Sequence, residues 1–427
     1  MSGRRAVITA VGVVSAFGVG FSAFADGLTR GLSAIGPIRS FDASTFPTRV
    51  AGEVPVQKTN AAFLSEHLDL LLGTGEASSW DKSGLSRDRK VCFGVIAAAE
   101  AWQPMNPRAA ERKASLSIGL GLEQAFLEDL AARLEGGEIR VGAGELSGGE
   151  ANPYRYRSRV DLCAEKIRGL FGLSGRIIVH TSACAAGGMA IAHAASLIER
   201  GVADLVLSGA ADSMVNPLGI GGMSRLGAPS PRAEASACRP FDRRRDGLVV
   251  GEGAAMFVVE EESRARARGA NIYAVVEGWA TTQDAYRATA PRPDGSRALA
   301  AMERALRHAK LNPSDIGYVN AHGTGTPLND PAEAKAIRAL LGDVPTSSIK
   351  GAVGHLMAAA GAIELAACLL PFTHGILPGT AHFEEPDPEC PINVIGPTPV
   401  EAKVDHVLSN SFGFGGQNVS VILGRAD

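Results

Sequence analysis

The chain has 427 residues, 45% of them hydrophobic and 20% charged, and a formal net charge of −3. That hydrophobic share is ample for a buried core and excludes a disordered polymer, and six cysteines over this length are too sparse for a disulfide scaffold. The slight acidic balance argues against a nucleic-acid-binding protein, which carries a basic excess, and the length fits two or three domains, or two fused halves sharing one core.

The first residues read MSGRRAVITAVGVVSAFGVG. Two arginines before an apolar stretch are the form of a secretory leader, but glycine and valine interrupt it and no clear cleavage site follows. A buried first strand is expected instead. No 18-residue uninterrupted apolar run predicts a membrane span. Strand-like runs fall at 6–10, 116–120, 176–180, 204–208, 255–260, 273–278, 317–320 and 419–423. Most are followed by a stretch able to form a helix, which predicts a layered α/β fold. Residues 134–159 are polar and Gly-rich and read as a long surface excursion. Residues 177–198 pass from a strand through a tight turn into an Ala/Gly-rich helix, and residues 347–370 repeat that grammar. Helices so rich in small residues are expected to be buried on most sides. The repeat predicts two halves, 1–262 and 263–427, meeting near the polar EEESRARARGA segment.

The cysteines Cys92, Cys163, Cys184, Cys238, Cys368 and Cys390 are scattered with no CxxC pair. Metal binding and a redox dithiol are not expected, and a soluble protein of a reducing, cytoplasmic compartment is. Cys184 stands in HTSACAAGG, between a strand-like run and a small-residue helix. A helix N-terminus favours a thiolate there, although an inert buried cysteine fits the same pattern. His322 stands in YVNAHGTGTPLND, followed by the hydroxyls of Thr324 and Thr326. The GTGT run lacks the spacing of a phosphate loop. His355 stands in SIKGAVGHLMAAAGAIE, with Lys350 before it and Glu364 after it. Ionisable groups entering an apolar helix are costly unless paired or used. Near the C-terminus, Phe412 to Gly416 read as a loop before a last strand, and Arg243–Arg245 as a salt-bridged turn. One cysteine and two histidines at strand ends fit thiol acyl transfer.

Five segments, TSACAAGG, RPFDRRRDGLVVGEGA, NAHGTGTPLND, KGAVGHLMAAAGAIE and SNSFGFGGQN, together resemble the β-ketoacyl-[acyl-carrier-protein] synthases, above all the synthase II type and its polyketide relatives. All lie in the family's order over nearly the whole chain. The resemblance implies a thiolase-type, five-layer α-β-α-β-α sandwich of two related halves. It implies a dimer joined near 176–180, and acyl carrier protein as partner. The implied reaction is decarboxylative Claisen condensation on Cys184, with no metal or nucleotide. Backbone N–H groups of Cys184 and Phe414 would hold the oxyanion, and His322 and His355 would donate to the malonyl thioester oxygen. Lys350 and Glu364 would support them. Thr324 and Thr326 match positions that contact the pantetheine arm, and Phe412 and Asn418 fall in the same substrate-contacting set. Phe414 matches an aromatic gate.

Two features depart from the family. Arg157 and Arg159, in the 154–161 segment YRYRSRVD, are odd neighbours for a plain fatty chain. They predict either a short, partly polar tunnel or a pocket completed by another synthase-like subunit. Residues 223–237 are polar and Pro-containing, and no element is assigned to them. The alternative reading is a weakly active or non-catalytic chain-length-factor-like partner, but such partners usually lose the nucleophile. A thiolase or synthase III would show a histidine and an asparagine in place of the two histidine motifs.

Overall fold

The computed structural model describes residues 3–57, 59–72, 85–105, 113–122, 125–126, 134–135, 138–139 and 158–426. Its main elements run in chain order. They are β1 (Ala6–Ser15), α1 (Arg89–Trp102), β2 (Ser115–Leu120), α2 (Leu162–Phe171), β3 (Ile177–His180), α3 (Ala186–Glu199), β4 (Leu205–Ser213), α4 (Pro217–Arg225) and β5 (Glu252–Glu261). There follow β6 (Ala274–Gln283), α5 (Ser296–Ala309), β7 (Tyr318–Asn320), α6 (Asn329–Leu341), β8 (Thr346–Ser347), α7 (Ala360–Ala367), β9 (His406–Gly413) and β10 (Gln417–Gly424).

These strands form one path in the order β8-β7-β9-β10-β6-β1-β5-β4-β2-β3, with Gly18–Val19 paired back on β1. The two ends of the path are the same. From β1, the neighbours β5 and β4 join antiparallel and β2 and β3 join parallel. From β6, the neighbours β10 and β9 join antiparallel and β7 and β8 join parallel. The halves meet through the antiparallel β1–β6 pair, Ala6↔Val276 to Ile8↔Ala274. With α4 set aside as an insertion, each half runs β-α-β-α-β-α-β-β.

Side-chain alternation creates the layers. On β5, Ala255, Phe257 and Val259 enter the central core, and Ala254, Met256 and Val258 enter an outer one. On β10, Val419, Val421 and Leu423 face the centre and Ile422 faces the opposite outer core. The central layer is α3 and α7, which pack on each other. Nothing larger fits: a Cβ on Gly187 would lie 2.6 Å from the Ala362 nitrogen, and one on Gly361 2.6 Å from the Gly188 nitrogen. Helix α1 covers β1, β5 and β4 from outside. Helix α5 covers β6 and β10 with a stripe of Ala298, Ala301, Met302, Ala305 and Leu306, the spacing of an amphipathic helix. The predicted five-layer sandwich of two repeated halves is the fold observed.

The structure corrects several expectations. Strand β9 is absent from the expected runs, and Phe412 and Gly413 belong to it rather than to a loop. The sequence of β9, HVLSNSFG, looks too polar for a central strand because its serines and asparagine point into a buried hydrogen-bond network. Asn410 donates to Glu333 at 3.2 Å and accepts from Ser420 at 2.7 Å. The 223–237 segment, left unassigned, ends α4, then turns under the Arg232–Asp246 pair (2.7 Å). In the single chain Arg159 is solvent-facing and paired with Asp161 and Glu165. Arg157 and most of the 134–159 excursion lie outside the described residues. Arg244 pairs with Asp242 and Glu384, and Arg245 with Asp387, as expected of a salt-bridged turn.

Candidate active site

Cys184 lies in the 3-10 turn Ala183–Ala185, one turn ahead of α3, after Ala183 at φ 47°. A side-chained residue at positive φ is strained and needs support. The β9–β10 hairpin supplies it from above. A Cβ on Gly413 would lie 2.9 Å from the Ser182 carbonyl and 3.2 Å from the Cys184 nitrogen, so only glycine lets the hairpin settle on this turn. The next residue, Phe414, then turns its backbone N–H onto the thiol. Burial pushes the Cys184 thiol up to about 11, while Lys350 and the Phe414 N–H pull the other way. The thiolate expected from a helix N-terminus is therefore not the resting form, because desolvation outweighs the favourable field. Val215, Ile220, Met223, Leu248, Val250 and Met357 form the apolar wall beside the sulfur.

His322 follows β7, and His355 follows the short helix Lys350–Val353. The two rings stand edge to face at 5.3 Å, and Phe412 lies 5.7 Å from His322. Each ring has its Nδ1 occupied by a donor. The Met357 N–H donates to His355 Nδ1 at 3.1 Å, and Lys350 Nζ lies 3.3 Å from His322 Nδ1. A lysine ammonium has only protons to offer, so both rings carry their own proton on Nε2. Burial, with Lys350 adding to it, holds both imidazoles well below their ordinary value. They are neutral hydrogen-bond donors rather than imidazolium ions.

Lys350 also donates to the His322 carbonyl and forms a buried ion pair with Glu364. Burial pushes Glu364 up to about 7 against the pull of Lys350. Thr324 and Thr326 meet through their hydroxyls at 2.8 Å. Asn418 is held within the hairpin. Its amide donates to Asp284 at 2.7 Å and to the Gly416 carbonyl at 3.3 Å.

The sequence reading missed the carboxylates that shape the histidine loop. Glu333 accepts from the backbone N–H groups of His322 and Gly323, both at 2.8 Å. Asp330 accepts from Thr324 at 3.0 Å, Gly325 at 3.1 Å and Phe241 at 2.8 Å. Asp330 lies in the first turn of α6 and Glu333 one turn further on, and an acid in a first helical turn was the available signal for Asp330. Among the described residues, no group of three or more His, Cys, Asp or Glu is arranged to hold a metal ion, and no helix is long and apolar enough to cross a membrane.

A buried thiol, two neutral histidine donors and a backbone N–H on the sulfur thus stand together on a thiolase-type fold. The sequence matches the Beta-ketoacyl synthase N-terminal domain over residues 3–265 and the Beta-ketoacyl synthase C-terminal domain over 273–384, and the chain belongs to that family. Similar proteins include the tetracenomycin polyketide synthase ketoacyl synthase alpha subunit of Streptomyces glaucescens, 37% identical over 99% of this chain and 97% of that one. The 3-oxoacyl-[acyl-carrier-protein] synthase 2 of Coxiella burnetii is 35% identical over 100% and 99%. A type II polyketide synthase ketosynthase, solved bound to the hexaketide and in complex with its acyl-carrier protein, superposes with a TM-score of 0.83 at 27% identity, covering 99% of this chain and 100% of that one. The ishigamide ketosynthase/chain length factor gives 0.82 at 31% identity over 99% and 100%.

Proposed function

We propose that this β-ketoacyl synthase condenses a Cys184-bound acyl group with malonyl-acyl carrier protein in fatty-acid or polyketide synthesis. The observation that carries this reading is the pair of buried histidines whose Nδ1 atoms are both occupied, leaving two Nε2–H donors next to the cysteine turn. Cys184 sulfur attacks the thioester of the acyl carrier protein, and the phosphopantetheine thiol leaves with the proton. Malonyl-carrier protein then loses carbon dioxide, and His322 and His355 donate to the thioester oxygen as it becomes an enolate. The enolate carbon attacks the acyl-Cys184 carbonyl while the backbone N–H groups of Cys184 and Phe414 hold the oxyanion. Carbon–sulfur cleavage releases β-ketoacyl-carrier protein and the cysteine thiolate. Decarboxylation supplies the carbanion, so the reaction asks for no metal or nucleotide.

Lys350 and Glu364 are assigned the support of the histidines. Thr324, Thr326, Phe412 and Asn418 are assigned to the substrate arm and its surroundings, Asn418 by bracing the hairpin, and Phe414 is assigned the gate. The nucleophile comes from a half spanning 1–262 and the histidines from one spanning 263–427. Acyl carrier protein is the substrate-bearing partner. The chain pairs through the β3 edge with a second copy or with a ketosynthase-like subunit. A reducing, cytoplasmic setting suits the six buried, unpaired cysteines. The presence of Cys184 favours catalysis over a chain-length-factor role.

Intact mass after incubation with acyl-carrier protein tests this reading. An acyl adduct is expected on the wild-type chain and not on Cys184→Ala. Condensation by Cys184→Ala would overturn it. A panel of acyl-carrier substrates, plain chains against oxidised ones, then assigns the acyl class.

A further inference from the structure

Asp212, at the end of β4, is a buried carboxylate that none of these steps uses. A charge in that setting is costly unless donors meet it. Two backbone N–H groups do: Ser213 on Oδ1 at 2.8 Å and Ala358 on Oδ2 at 2.9 Å. A Cβ on Gly121 would overlap the carboxylate, so the group is fitted tightly into its place. Burial raises Asp212 to about 6, and Lys90, itself buried, draws it back toward ionisation.

Ala358 is the middle residue of the 3-10 turn Met357–Ala359, which leads into α7. Met357 has φ 48°, a conformation that needs outside support. Its N–H is the one that occupies His355 Nδ1. The turn repeats the cysteine turn of the first half. There Ala183 has φ 47°, Cys184 stands where Ala358 stands, and α3 starts at the same offset. The two turns touch. One offers its middle side chain as the nucleophile, and the other has its middle amide tied to a carboxylate of the opposite half.

We propose that Asp212 is a positioning residue for decarboxylation: by gripping the Ala358 N–H it holds the strained Met357 turn, keeps the Met357 N–H on His355 Nδ1, and so keeps the His355 proton on Nε2. This rests on the condensing reading. The role is confined to one half-reaction. Asp212's negative charge opposes a thiolate at Cys184, so neutralising it does not slow acyl transfer.

The test is Asp212→Asn, nearly isosteric, in which an NH2 replaces one acceptor and faces an N–H donor. Two rates are read with the full chain: acylation of Cys184 by acyl-carrier protein, followed by intact mass, and carbon dioxide release from malonyl-carrier protein. Release is expected to fall by roughly tenfold or more, with acylation undiminished. In a His355→Ala background, adding Asp212→Asn is expected to change release by less than about twofold, because both substitutions act through the same donor. Equal loss of both rates, which is also what a misfolded variant gives, overturns the proposal. So does undiminished release, or a full additional loss in the His355→Ala background. A wild-type chain that releases no carbon dioxide overturns the condensing reading, whereas an active wild type with an equally active Asp212→Asn variant overturns only the role of Asp212.

Discussion

At the scale of single residues, the proposed reaction relies on protons held in place rather than on net charge. His322→Ala or His355→Ala removes one donor aimed at a developing oxyanion. Each is expected to lower carbon dioxide release about 10²–10³-fold, or about 3–4 kcal/mol of barrier, while intact mass still shows acylated Cys184. Protonating either ring would bring a second positive charge beside Lys350 in a buried site, and the folded protein resists this. The acid limb of their titration therefore lies below the ordinary histidine range. At about pH 6, nitrogen shifts in histidine-labelled protein are expected to report neutral Nε2–H rings for both. Imidazolium shifts there would contradict the assignment. The Lys350–Glu364 pair is a different kind of contribution. Lys350→Met strands a buried carboxylate and is expected to cost about 3–5 kcal/mol in urea unfolding, most of it recovered in the Lys350→Met/Glu364→Gln double variant. A double variant as unstable as the single one would show that packing of the lysine stem, not charge, was lost.

At the scale of elements, the site depends on three close backbone approaches, each made by glycine. Gly413 sets the hairpin on the cysteine turn, and Gly187 and Gly361 let α3 and α7 touch. Gly413→Ala is expected to lift the Phe414 N–H from the thiol and slow acylation of Cys184 with little loss of thermal stability, since the hairpin end is partly exposed. Gly361→Ala pushes a methyl into the Gly188 backbone at the centre of the molecule and is expected to cost about 1–3 kcal/mol, read as a lowered Tm. Acylation unchanged in Gly413→Ala would mean that the hairpin does not supply the donor. The same scale explains the missed strand β9. Its polar residues are partners for Glu333, Glu364 and β10, so both faces are buried and each mixes polar with apolar residues, which leaves no inside–outside alternation to read.

At the scale of the whole molecule, ten strands in two equivalent sets place a cysteine turn and a histidine turn side by side at the centre. Each set presents its turn at the start of its own central helix, and the contact of α3 with α7 brings the two turns together. The strand path ends at β3, which carries the partly exposed Ile177 and His180, whose ring meets that of His193 on α3 at 5.3 Å. Among the described residues no strand pairs with the outer edge of β3, and such an edge is a pairing surface. Light scattering is expected to give twice the mass of one chain, or a complex with a synthase-like subunit when the two are produced together. A monomer at micromolar concentration in both cases would rule out pairing through this edge.

The sequence by itself determined the fold class and singled out the cysteine and two histidines that the fold brings together. Those signals are local: small-residue helices after strand-like runs, and a cysteine and two histidines each set in a glycine-rich turn. It could not assign Asp212, Asp330 or Glu333, because a carboxylate at a strand end or helix start looks like an ordinary surface acid until its backbone partners come from distant segments. Nor could it fix the protonation of the site. A helix N-terminus favours a thiolate and an isolated histidine titrates near neutrality, yet here burial reverses the first and suppresses the second. Desolvation depends on what the rest of the chain packs around a group, and only the tertiary structure decides that.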